Sequence, residues 1–409
     1  MRKTMELKTR MPKIVNVNAS RIVLLTVVLL QLLSPGMCMA EFLGRFTDPT
    51  DGAFDASAWL LNQKGFLPVP ILITEPAIGY GLGVGLVFFH DSIAAKASRE
   101  KIEAQEQAGE KSTQMVPPSV SGVGAFKTEN DTWGAVGFHF GAWKKDHIRY
   151  TGGIGKVSLN LSFYGTSEDS PISNGLDYNL EGWGLLQTLK FRMGDSRAFV
   201  GGKITYLDTT STFDTSSLPI EVNEWELEFK NIGLGFVVEY DSQDNMFSPE
   251  RGVQTTLEAM FYNGEGLLGK PREYQITTAG NRAYWSMNQL PLVWGWRVGG
   301  SFSSGEVPFF ALPFIQLRGV PMQRYQGKHV LDTELEARYR VSSRWTAVGF
   351  GGVGQTADTL NDFGSNEYRW AGGAGIRYLI ARVLKLQYGF DVARGPEDWV
   401  FYLTVGSGL

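Results

Sequence analysis

From Leu331 to Val341 the side chains alternate without a break. Leu331, Thr333, Leu335, Ala337, Tyr339 and Val341 fall on one side, and Asp332, Glu334, Glu336, Arg338 and Arg340 on the other. A period of two marks a strand, because successive Cβ atoms of a pleated chain point to opposite faces. The pattern recurs. Leu384, Leu386, Tyr388 and Phe390 oppose Lys385 and Asp391, and Trp370, Ala374, Ile376 and Tyr378 oppose Arg369 and Arg377. In Ala77–Phe89, Gly79, Gly81, Gly83 and Gly85 share one face while Ile78, Tyr80, Leu82, Val84 and Leu86 share the other. That glycine run keeps strand phase and precedes no helix, so it predicts a glycine-lined strand face and not a nucleotide loop.

Fifteen such segments can be traced, from Ala77–Phe89 to Trp399–Gly408. Repeatedly, one face is free of charge and rich in aromatics, and the other carries Gly, Thr, Gln and charge. Single strands of this kind also suit a soluble sandwich. The turns favour another solution: Ser342–Arg344 and Ala381–Arg382 are short, whereas 356–367 is long. Apolar-out, polar-in strands joined alternately by tight turns and long loops predict an all-β fold, a transmembrane antiparallel β-barrel with no strand edge left open in lipid. Single-chain bacterial barrels have even strand numbers, so sixteen are expected. The missing one falls at Leu67–Ile73 or in a split of Ile148–Tyr164. With both barrel ends in the periplasm, residues 91–118 and 356–367 are expected outside the cell, and 342–344 and 381–382 inside.

The beginning of the chain changes the compartment. Arg2, Lys3, Lys8, Arg10, Lys13 and Arg21 precede the apolar run Ile22–Leu33, and Cys38-Met39-Ala40 supplies a cleavage site, so residues 1–40 read as a secretory signal peptide. The single cysteine leaves with it, which gives no disulfide framework. Residues 41–65 form a short periplasmic lead-in, and 66–409 the barrel. A net charge of −4 suggests no nucleic-acid partner, and 49 glycines with 12% aromatics suit tightly turned β structure. His90, His139, His147 and His329 stand in no ligand spacing, so no metal and no cofactor are expected. No nucleophile elbow occurs, and Gly264–Lys270 misses a phosphate loop because Pro271 stands where Ser or Thr would bind magnesium. No enzymatic activity is expected.

Two stretches carry more. Tyr240–Gly252 joins two strands through Asp241, Asp244, Asn245, Pro249, Arg251 and Gly252, with Asp and Asn bonding their own backbone and Pro249 fixing φ. Ser304–Lys328 is a long loop containing Leu, Phe, Val and Met, which has to pack on something. Folded into the lumen, its Arg318, beside Gly319, has Glu334 and Glu336 as partners for charge-assisted bonds. The seam of the barrel is expected between Ile78–Phe89, with Gly81 and Gly83, and Trp399–Leu409, with Gly406 and Gly408. Glycine on both edges weakens their pairing.

On these residues the chain resembles the bacterial surface antigen family of outer-membrane assembly and translocation barrels, the BamA and TamA type. Tyr240–Gly252 resembles the family's turn between the eighth and ninth strands. Leu317-Arg318-Gly319-Val320 resembles its inward-folded sixth outer loop, and Glu336-Ala337-Arg338-Tyr339 the E-x-R strand after it. The likeness covers roughly residues 66–409. It implies sixteen strands, a location in the bacterial outer membrane, and a weak lateral seam through which protein or lipid clients are inserted, with periplasmic partner subunits. Three departures stand out. Residues 41–65 hold no POTRA domain, Val320 replaces an aromatic, and the strand Val348–Gly354 lacks the acidic residue that usually meets the loop arginine. The alternative is an autonomous channel plugged by residues 304–328.

Overall fold

The computed structural model describes residues 46–62, 65–90, 119–166, 172–214, 225–265 and 271–409. The signal at 1–40, the polar insert 91–118 and most of the run 264–270 lie outside these residues. Residues 46–53 belong to a unit of their own, a turn in which Gly52 N–H donates to Asp48 O at 2.8 Å.

From Phe54 onward, sixteen strands form one antiparallel sheet in which each pairs with its neighbours in sequence. They are β1 (Gly65–Ile73), β2 (Gly81–Phe89), β3 (Val120–Thr128), β4 (Trp133–Trp143), β5 (Ile148–Phe163), β6 (Leu176–Arg192), β7 (Ala198–Phe213) and β8 (Trp225–Asp241). The second half comprises β9 (Gly252–Glu265), β10 (Pro271–Ser286), β11 (Leu292–Gly305), β12 (His329–Arg340), β13 (Trp345–Ala357), β14 (Arg369–Ala381), β15 (Leu386–Arg394) and β16 (Trp399–Val405). The strand missing from the count of fifteen is β1; Ile148–Phe163 runs unbroken.

Pairing carries the alternation from strand to strand, because directly opposed residues point to the same face. Leu335 lies between Trp296 and Gly351, and Glu336 between Gly295 and Phe350. The outer face exposes Leu82, Val84, Val123, Ile154, Leu234, Phe236, Leu257, Leu335 and Ile376 around the sheet. Trp345, Tyr378, Tyr339 and Tyr240 edge it at one end, and Trp370, Trp399 and Trp225 at the other. An apolar band between aromatic girdles is the surface a bilayer requires. The chain is a transmembrane barrel of the outer-membrane type.

One expectation of sidedness is overturned. Because β1 is a strand in its own right, β2 runs back, and Phe89 ends where the β8–β9, β12–β13 and β14–β15 turns also lie. The insert 91–118 therefore leaves the barrel at the turn-bearing, periplasmic end and not at the outside. The 358–368 connection is at the opposite end, as expected. In a Cys38→Ser background, an impermeant maleimide should label Ser365→Cys on intact cells and leave Ser119→Cys and Ser343→Cys untouched. Labelling of Ser119→Cys from outside would restore the earlier topology.

The lead-in docks at that same end. Asp55 accepts hydrogen bonds from Arg344 Nη1 (2.6 Å), Ser57 N (2.6 Å) and Arg382 N (3.1 Å). Ala56 N–H donates to Ile380 O at 2.6 Å. The short helix α1 (Ser57–Asn62) follows, and its Leu60 packs on Ala381 and Leu384. Burial raises the Asp55 pKa, but the bonds from Ser57 and Arg344 lower it by more, so the carboxyl sits below its ordinary value of 3.8. A depressed folded-state pKa contributes stability above the unfolded value, and that contribution is lost as pH falls through the folded one. Pepsin should therefore release residues 54–62 increasingly as pH drops below about 4. Asp55→Asn should lose protection without this dependence; an Asp55→Asn profile identical to the parent's would exclude Asp55 as the latch.

Candidate functional site: lumen lock and seam

The loop between β11 and β12 is laid through the lumen. Its first part forms a 3₁₀ turn, Phe309–Ala311. Phe309 and Phe310 pack into an aromatic cluster with Tyr178, Phe213 and Phe229 on the wall of β6–β8. Further on, Ile315, Leu317 and Val320 bury against Val330 and Ala371. The apolar residues of this loop thus cover the inner wall, and the small Val320 fits where an aromatic is usual.

Between those apolar anchors lies a cluster of six charges. Arg318 pairs with Glu334 at 2.6 Å, Glu336 at 2.8 Å and Asp391 at 3.1 Å, and its guanidinium lies 3.7 Å above the Phe350 ring. Asp391 also accepts from Arg377 Nη2 at 2.8 Å. Arg338 lies 3.5 Å from Glu336 and donates to Ser248 Oγ at 3.2 Å and to Pro249 O. Three arginines face three carboxylates, and the side chains of Glu336 and Asp391 are wholly buried. Such a cluster is tolerable in a water-poor site only if its charges balance. The sequence placed Arg318 opposite Glu334 and Glu336, and the structure brings all three together. It did not single out Asp391, although β15 shows that residue on the polar face. The acid missing from β13 is supplied two strands further round.

The β8–β9 connection is fixed by its own side chains. Asp244 Oδ1 accepts from Glu250 N and Arg251 N (2.9 and 3.1 Å), and Asn245 Oδ1 accepts from Phe247 N and Ser248 N (2.8 and 2.9 Å). Asp241 pairs with Arg149 at 3.2 Å, and Arg251 Nε donates to Ser286 Oγ at 3.3 Å. Gly252 has φ +105°, and a Cβ there would meet Ser242 O at 2.3 Å, so only glycine serves. The turn also reaches across the periplasmic mouth. Asn245 Nδ2 donates to Leu384 O at 3.2 Å, Glu250 meets Lys385 at 2.9 Å, and Ser407 N donates to Phe247 O at 2.7 Å.

The seam lies elsewhere than expected. Gly81 and Gly83 sit on β2, paired on one side with Ile73 and Ile71 and on the other with Thr128 and Phe126. They form no edge; their missing side chains leave room for β3, whose Lys127 and Ala125 carbonyls lie within 2.6 Å of a Cβ at either. The edge strand is β1. At the other end β16 stops at Val405, and Gly406, with φ +83°, turns the chain inward. Gly408 then rests on the lock, where a Cβ would meet Arg318 Nη1 at 2.2 Å and Glu336 Oε2 at 2.7 Å. Gly406 and Gly408 therefore end the strand and admit the tail to the lumen.

Among the described residues no ladder joins β16 to β1. The lumen loop touches both sides of the gap instead. Gly319 N donates to Tyr402 Oη on β16 at 2.9 Å, and Met322 N donates to Glu75 Oε1, just beyond β1, at 2.9 Å. Neither Tyr402 nor Glu75 carries a motif by which the sequence alone would single it out.

No family model matches the sequence, nor does any curated protein. Solved structures do match. BamA from Haemophilus ducreyi lacking POTRA domains 1–3 is 13% identical with a TM-score of 0.54, over 84% of this chain and 70% of that one. CdiB from Acinetobacter baumannii is 10% identical with a TM-score of 0.52, over 83% of this chain and 59% of that one. The chain thus spans less than two thirds of the CdiB chain. These likenesses show the fold. The sixteen-stranded barrel has the architecture of BamA and CdiB, as the surface antigen resemblance implied.

Proposed function

We propose that this barrel assists the insertion or translocation of protein segments at the bacterial outer membrane through the gap between β1 and β16. The observation that carries the reading is the missing ladder, spanned from within by the lumen loop. Strand length supports it. β1 has 9 residues and β16 has 7, against 17 in β6 and β8 across the barrel. At about 3.3 Å per residue and a tilt of about 40°, β16 rises only about 18 Å along the membrane normal, less than the roughly 25 Å apolar band of such barrels. Lipid beside the seam is accordingly compressed, which lowers the barrier to insertion there. The clients are unfolded polypeptides, lipid forms the surroundings, and a separate POTRA-bearing subunit in the periplasm presents the client. The protein's contribution is a surface and a gap, with no bond chemistry.

The channel reading rests on the charged lumen, and the packing of Phe309, Leu317 and the six-charge cluster inside that lumen weighs against it. Cross-linking decides. Cysteines at Val69 on β1 and at Val400 or Thr404 on β16, bridged by a short bismaleimide, should lock the seam. The locked barrel should keep its heat-modifiable mobility and fail to restore the outer-membrane proteome of depleted cells. Full restoration by the locked form would leave the channel reading in front.

A further inference from the structure

The two edges of the gap are chemically unequal. In an antiparallel ladder successive residues turn their N–H and C=O groups alternately to one side and the other. On β1, Val69 faces β2: its carbonyl oxygen lies 3.6 Å from the Cβ position of its partner Gly85. Phe66, Pro68, Pro70 and Leu72 therefore face the gap. Proline has no N–H, so the middle of this edge offers carbonyls alone, and only Phe66 and Leu72, at its two ends, can donate. On β16 the phase is set by Gly406 N–H, which donates to Gln387 O of β15 at 2.7 Å. Val400, Tyr402 and Thr404 share that phase, so Trp399, Phe401, Leu403 and Val405 face the gap. Each carries both a donor and an acceptor.

We propose that β16 alone is the docking edge for an added strand, and that Pro68 and Pro70 block β1 from that role and from closing the barrel. The occupant of the β16 edge is an extended segment of another polypeptide, apolar at alternate positions. Hydrogen-bond complementarity argues for that partner. Unpaired backbone groups at membrane depth are costly and must find protein partners. β1 cannot satisfy the donors and acceptors of β16, since a matching edge has to donate at its centre. An alternating strand can, while extending the outer apolar face beyond Phe401 and Leu403, both of which point to lipid. Pro68 and Pro70 act here as edge prolines do elsewhere, preventing an unwanted ladder.

The inference rests on the seam being a working site, and the test separates the two. The full-length barrel in lipid vesicles would carry benzoylphenylalanine at Phe401 or, in a second protein, at Phe66. The probe is a synthetic peptide with the sequence of β15, Leu386–Arg394, which alternates suitably and already pairs with β16 on its other side. Light should attach the peptide at position 401 and not at 66, and a scrambled peptide should attach at neither. Pro68→Val with Pro70→Val should restore the central donors, let β1 pair with β16, and abolish attachment at 401 while the barrel stays folded by heat-modifiable mobility. Equal attachment at 66 and 401, attachment at 66 alone, or undiminished attachment at 401 in the valine variant would overturn the unequal edges and leave the seam reading standing. No attachment at either edge would overturn both.

Discussion

Arg318→Met is expected to destabilise the folded barrel by on the order of 3–5 kcal/mol, the usual cost of removing one partner from a buried ion cluster. Glu334, Glu336 and Asp391 would keep their burial and lose the cation they share. The denaturant midpoint of the barrel in detergent should fall, and residues 312–328 should become open to trypsin, which cuts at Arg324. Neutralising acids together with the arginine, as Arg318→Met with Glu334→Gln and Asp391→Asn, should recover part of the loss because the stranded charges disappear. An unchanged midpoint with a protected loop would show that the apolar packing of Ile315, Leu317 and Val320 holds the loop unaided. Glu334→Gln alone, which the alternation pattern by itself suggests is mild, should be costly. Glu334 is 3% exposed and accepts from both Arg318 N (3.2 Å) and Arg318 Nε (2.8 Å).

Leu335→Arg, one residue along the same strand, is the second large effect. Leu335 is 43% exposed, but to lipid and not to water, between Trp296 and Gly351. An arginine there near the bilayer midplane should cost about 2–4 kcal/mol. The penalty should appear as a lower folded fraction in lipid vesicles and shrink in detergent micelles, where the side chain reaches water more easily. An identical penalty in both would place Leu335 against protein and displace the apolar face from the bilayer.

Much of this fold could be traced because a pleated strand exposes its environment residue by residue. Lipid outside and charge inside sorted Leu331–Val341, and most strands from β2 to β16 carry that code or replace the inner charge with glycine and small polar residues, as β2 and β13 do. β1 was harder to place because its phase is masked: Gly65–Ile73 is apolar on both faces and interrupted by Pro68 and Pro70. Missing it displaced the seam by one strand, to Gly81 and Gly83, and reversed the side from which the 91–118 insert departs. The tail misled for a related reason. Phe401, Leu403, Val405 and Leu409 keep period two on paper, but Gly406 takes φ +83°, and β16 ends just before it at Val405. Arg318 with Glu334 and Glu336 could be read because loop and strand are adjacent in sequence. Asp391, Tyr402 and Glu75 could not, since their proximity comes only from closing the sheet.

The order in which the molecule assembles follows from where its long-range bonds lie. Every ladder joins neighbours in sequence, so the sheet can grow hairpin by hairpin with little loop-closure entropy to overcome at each step. Beside its short-range bonds to β12, the lumen loop makes three of another kind: Arg318 to Asp391 spans 73 residues, Gly319 to Tyr402 spans 83, and Met322 to Glu75 spans 247. The first waits for β15 and the second for β16, so the full set is complete only when the last two strands are in place. The loop can meet Glu334 and Glu336 as soon as β12 follows it, but Asp391 and Tyr402 join only with the final strands, so the closing of the sheet and the completion of the lock are one event.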